Sequence, residues 1–193
     1  MPDPIVKRCV TGADPDAPFE IPTIFEDFQE ASELAEIGRE LIATCDEFER
    51  IRWAIKETEL QILYRWRKKA AKQNDRVKAG TLQKAGGLIR HLSESEYIVQ
   101  IAADANRGAT NWHMEALVYH ELRHIKIEVK LIGPKDDPMP VPDPKVRAHD
   151  VEMFLSEVER YGLWRGDLGR ALTTFQQAPL FADAQLTSVP GKA

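Results

Sequence analysis

The stretch "VYHELRHIKIE" sets His120 and His124 four residues apart, with Glu121 directly after the first, and no other feature of the chain constrains its folding as much. On a helix the two imidazoles project from one face and can share a zinc ion, while Glu121 flanks the metal as a general base. The pattern therefore demands a helix through residue 120, a third ligand and a cleft.

The surrounding sequence predicts that helix. "NRGAT" interrupts what precedes it, Thr110 is a suitable cap, and Trp112, Ala116, Leu117 and Ile125 are available for packing along a helix over residues 110–128. Two segments upstream read as strands. "ELQILYRW", residues 59–66, alternates with Leu60, Ile62, Tyr64 and Trp66 on one face, and "EYIVQIAAD", residues 96–104, favours a strand through its Tyr, Ile and Val content. Thr23 and Glu26 form a capping-box signature before Phe25, Phe28, Leu34, Ile37 and Leu41, which predicts an amphipathic helix over residues 24–44. "LIRHL" suits a short helix. "PKDDPMPVPDP" carries five prolines in eleven residues, so residues 133–144 are predicted to be a loop bordering the cleft. Asp143 and Pro144 then open a helix over residues 144–161 that Gly162 ends, with a further short helix around 166–176.

These elements predict an α+β fold: a small antiparallel or mixed sheet from residues 59–66 and 96–103, packed on the helix that carries the motif, with flanking helices. The length of 193 residues fits one domain. Residues 1–22 read as an extended arm, residues 23–176 as the domain and residues 177–193 as a loosely ordered tail. A composition of 43% hydrophobic and 30% charged residues is that of a soluble globular protein. No apolar run spans a bilayer and the N-terminus lacks an apolar signal core, so the expected location is the cytoplasm. Cys9 and Cys45 stand in no C-x-x-C spacing, which argues against a disulfide framework or a cysteine zinc site. A net charge of −5 makes no general case for nucleic acid, although residues 65–78 hold seven basic side chains and one acid.

A catalytic zinc takes three protein ligands and keeps a fourth position for water. His149, near the start of the next predicted helix, is the favoured third ligand; Glu152, one turn later, is the competitor and otherwise a hydrogen-bond partner of the ligands. In that chemistry Glu121 takes a proton from the zinc-bound water and passes it to the leaving amine, which is metal-assisted hydrolysis of a peptide bond. The edge of residues 96–103 is expected to hold the extended peptide, and Tyr161 and Trp164 read as core and lid packing residues, with the Tyr161 hydroxyl able in addition to hydrogen-bond the oxyanion. His113 and His91 read as packing or surface residues.

At these residues the chain resembles the phage and prophage metallopeptidases of the zincin type, distantly SprT-like. "HELRH" followed by "HDVEMFLSEVERYGLW" carries the resemblance, which covers roughly residues 55–165. It implies that His120, His124 and His149 bind Zn2+ and that Glu121 is the catalytic glutamate. Arg123 departs from the family, where Cys is frequent before the last histidine of the first motif. Two other functions fit the same residues. One is a metal-stabilised binding module of zincin fold, without proteolysis, holding a protein, or nucleic acid through the basic segment 65–84. The other is a zinc hydrolase acting on a non-peptide amide. The intact Glu121 favours the peptidase, because a purely structural metal needs no base beside it.

Overall fold

The computed structural model describes residues 7–73, 76–134, 137–148, 155–162 and 164. They form a mixed α+β fold. Its main sheet has four strands in the order β1 (Phe28–Glu30), β2 (Ile62–Arg67), β6 (Tyr97–Ala102) and β5 (Gly80–Lys84). β2 and β6 run parallel, Tyr64 beside Val99 and Trp66 beside Ile101, and the two outer pairings are antiparallel. Between β2 and β5 the chain makes a small hairpin of β3 (Ala71–Gln73) and β4 (Arg76–Lys78), and α3 (Gly87–Ser93) links β5 to β6.

The pleat explains the core. Tyr64, Trp66, Tyr97, Val99 and Ile101 share one face of the sheet by register and are all buried. Against them pack α1 (Ser32–Thr44), through Leu34, Ile37 and Leu41, and α4 (Asn111–Arg123). Gly38 permits the close approach of α1: a Cβ there would collide with the Tyr64 hydroxyl. A 3-10 turn (Asp46–Phe48) and α2 (Glu49–Thr58) follow α1 and bury Phe48, Ile51 and Ala54. The N-terminal arm is tied to the start of α4 by backbone bonds from Phe19 to Ala109, Asn111 to Ala17 and Trp112 to Pro15.

Several elements differ from the sequence expectation, each for a physical reason. The helix expected over 24–44 begins only at Ser32. Ala31 is its cap residue, and Phe25 and Phe28 lie outside it, exposed, with Phe28 in an edge strand. The strand of residues 96–103 is not an edge: β6 lies between β2 and β5, so both its backbone rims are engaged and the free rim nearest α4 belongs to β5. The helix expected to reach Glu128 stops at Arg123, and Ile125–Ile132 form a strand, β7, because "IKIEVKLI" alternates apolar and polar residues with period two.

The proline-rich segment is likewise a strand. Residues Met139–Val146 form β8, paired antiparallel with β7, where a loop and then the start of a helix were expected. Arg147 N–H donates to the His124 carbonyl at 2.9 Å, which makes 147 and 124 a hydrogen-bonded pair. Counting back along the ladder, Pro140, Pro142 and Pro144 all occupy the non-hydrogen-bonded positions, where a missing N–H costs nothing in a two-stranded ribbon. Helix α5 (Leu155–Tyr161) is described from Leu155, with Gly162 at φ +65° directly after it. His149 and Glu152 lie outside the described residues, as do the short helix expected around 166–176 and the tail. Among the described residues no helix is long and apolar enough to cross a membrane.

Candidate active site

Helix α4 runs through the middle of the molecule and is buried almost all round, from Trp112 to Leu122. Thr110 caps it as expected, its hydroxyl oxygen accepting from the backbone N–H of His113 at 3.4 Å. The helix ends at the second histidine: His124 is the C-cap, with its N–H returned to the Glu121 and Leu122 carbonyls. The two imidazoles, one turn apart, sit with ring centroids 5.3 Å from each other and planes at 83°. His120 is buried and His124 half-buried.

Each ring is oriented through its Nδ1. In His120 it lies 2.7 Å from Oε2 of Glu157, a carboxylate on α5 with no solvent exposure, whose other oxygen accepts from Trp164 Nε1 at 2.7 Å. In His124 it lies 2.9 Å from the carbonyl oxygen of Arg147, which can only accept, so Nδ1 carries the proton there. A neutral imidazole donating from Nδ1 keeps its lone pair on Nε2, the tautomer required of a metal ligand whose outer nitrogen is held by a carboxylate or carbonyl. Burial also lowers the pKa of His124, favouring the neutral ring. Two imidazoles oriented in this way could hold a divalent metal. Among the described residues no three His, Cys, Asp or Glu side chains converge to hold a metal ion.

Glu121 faces β5. Burial raises its pKa to about 7; His120 opposes that rise, Glu157 adds to it, and the Leu82 N–H and Lys78 oppose it. Its position depends on Gly80, since a Cβ at residue 80 would stand 2.5 Å from Glu121 Oε1 and 3.0 Å from Ile101 Cδ1. A Gly80→Ala variant is therefore expected to displace the carboxylate while the chain still folds and, where that carboxylate acts as a base, to lower turnover by about 10-fold or more. Turnover measured beside circular dichroism checks it; unchanged turnover would mean that the carboxylate position does not matter.

The sequence did not single out Glu157. Local spacing does not mark it out, because its place in the site depends on which face of α5 docks on α4. Tyr161 packs in the core as read from the sequence, its ring on Trp112 and Tyr119, and its hydroxyl donates to Glu115 at 3.2 Å rather than facing an oxyanion. Trp164 was expected to pack in the core or a lid; it also holds Glu157. His113 is half-buried beside Trp164, consistent with a packing role.

A family model described as "Putative phage metallopeptidase" matches residues 26–176. No curated protein and no solved structure matches the chain. The match takes in the main sheet, α4 with both oriented histidines and Glu121, the β7–β8 ribbon and α5 with Glu157, so the chain belongs to the phage metallopeptidase family.

Proposed function

We propose that the protein is a zinc-dependent peptidase of zincin-like fold in which His120, His124 and His149 hold the metal and Glu121 is the general base. The observation that carries this reading is the pair of Nδ1 anchors, Glu157 on His120 and the Arg147 carbonyl on His124, which orient both imidazoles beside a buried carboxylate. When bound, the metal supplies Lewis acidity toward water and the scissile carbonyl. Glu121 accepts the proton of the attacking water and delivers it to the leaving nitrogen. Its burial keeps competing solvent from the proton's path.

The β5 rim replaces β6 as the candidate peptide-binding edge. Ala85 N–H bonds to the Glu96 carbonyl and Ala102 N–H to the Ala79 carbonyl, so residues 79 and 85 are in hydrogen-bonded pairs with β6. Gly80, Leu82 and Lys84 consequently direct their backbone groups away from β6, and the Leu82 N–H reaches Glu121. An extended peptide lying along this rim would pass beside the base.

Elemental analysis of the purified full chain tests the metal assignment. About one zinc per chain is expected, lost in His120→Ala and His124→Ala, and weakened far more by His149→Ala than by Glu152→Ala. Full metal content in either of the first two variants would overturn the site, and the reverse order in the second pair would transfer the third ligand to Glu152.

A further inference from the structure

The peptidase reading leaves unused the most unusual surface of the molecule. Residues 65–78 carry seven bases and one acid in a chain whose net charge is −5. Lys68 and Lys69 follow the C-terminal end of β2 and Lys72 lies on the β3–β4 hairpin that continues it, all three exposed, whereas Lys78 leads into β5 on the Glu121 side. Beside them, on the edge of the main sheet, two phenylalanine rings face solvent: Phe25 is 78% and Phe28 49% exposed. Phe28 stands directly opposite Arg67 in the β1–β2 register, with the guanidinium carbon 5.9 Å from its ring centroid. Lys68 Nζ donates to the Phe25 carbonyl at 3.0 Å, which ties the aromatic turn to the basic strand end. Glu26 and Asp27 are exposed between the two rings in sequence, the Asp27 carbonyl accepting from the Lys68 N–H at 3.0 Å, and Glu30 faces Arg65 at 3.9 Å at the far end of β1 from the lysines.

We propose that this surface, Phe25 and Phe28 with Arg67, Lys68, Lys69 and Lys72, binds single-stranded nucleic acid. Each half of the surface calls for a different half of that ligand. Clustered lysines on an acidic protein attract a polyanion, and phosphates release counterions when they dock. Exposed aromatic rings flanked by cations offer stacking platforms for bases that are not already stacked. A duplex would keep its bases from the rings, and an acidic polypeptide would use the lysines while leaving both phenylalanines in water. The site lies on the β1 side of the sheet and involves neither histidine of the metal pair, so it does not depend on the peptidase reading.

Fluorescence anisotropy with the full chain tests the proposal. The probes are a labelled oligothymidine of about 16 nucleotides, a duplex of equal length and polyglutamate. The single strand is expected to bind most tightly, with affinity falling linearly in log salt. Lys68→Glu, Lys69→Glu and Lys72→Glu combined should lose about 10²-fold or more and flatten the salt slope. Phe25→Ala with Phe28→Ala should lose about 10-fold with the slope unchanged. Phe25→Ser alone, at a side chain outside the sheet, gives the variant that leaves packing intact, and thermal unfolding confirms that each variant folds. No salt-dependent binding of the oligonucleotide overturns the proposal. So does polyglutamate binding as tightly as the single strand while the phenylalanine variants behave as the parent does, which would identify an acidic protein as the ligand. Because the readout is binding alone, either failure leaves the peptidase reading standing, and failure of that reading leaves this one standing.

Discussion

Glu121→Gln is expected to abolish measurable peptide hydrolysis, a loss of about 10²-fold or more, while zinc content stays at the parent level. The amide keeps the size of the carboxylate and its acceptor oxygen for the Leu82 N–H, but cannot take a proton. The same substitution has a second signature in chelator-treated protein. Burial raises the folded pKa of Glu121 from 4.5 to about 7, so the folded chain binds a proton that the unfolded chain has released. That contribution to stability is full below pH about 4.5 and is lost as pH rises through about 7. The glutamine variant carries no such penalty, and metal-free Glu121→Gln should melt higher than metal-free parent at pH 8, with the gap closing toward pH 5. Catalysis lost and apo stability gained is the outcome expected of a base held in an apolar site. A variant that hydrolyses peptides normally would end the general-base assignment, and one that loses zinc as well would make Glu121 a structural residue.

The parts of this site that were legible from sequence are those written in local spacing. His120, Glu121 and His124 are neighbours on one helix, and Thr110 announces where it starts. Its end was harder to read, because Ile125 continues a helical stripe as well as it opens the alternation of β7; only pairing with β8 decides the matter. Prolines in β8 pointed away from a strand for a sound reason that does not apply to a two-stranded ribbon, where every second backbone group is unpaired. The edge strand was misplaced because order within a sheet is not a local property: β6 is as apolar as an interior strand should be, and β5, "GTLQK", is polar enough to sit at a rim. Gly80 illustrates the same limit. In sequence it is one of several glycines in a basic connection, and only the fold brings Glu121 against its missing side chain.

Glu157 is the residue on which the second large effect should fall. Fully buried, it accepts from His120 with one oxygen and from Trp164 with the other, so its carboxylate fixes the imidazole from behind and is itself held by an indole. Under the proposed metal assignment it is a positioning residue that acts through His120, its negative charge strengthening the ring's lone pair toward the metal and locking the tautomer. Glu157→Gln has one acceptor oxygen for two donors, and its amide hydrogens have no use beside either of them. Zinc affinity, measured by competition with a coloured chelator, is expected to fall by about 10- to 100-fold. A role in packing alone would predict the opposite split, with a lower melting temperature and unchanged zinc affinity, since glutamine fills the same volume. Trp164→Phe separates the two further. It leaves both Glu157 and His120 in place but removes one restraint on the carboxylate, so it should weaken zinc binding in the same direction and by less. If both variants bind zinc as the parent does, Glu157 is a buried structural acid and the orientation of His120 must come from elsewhere on α4.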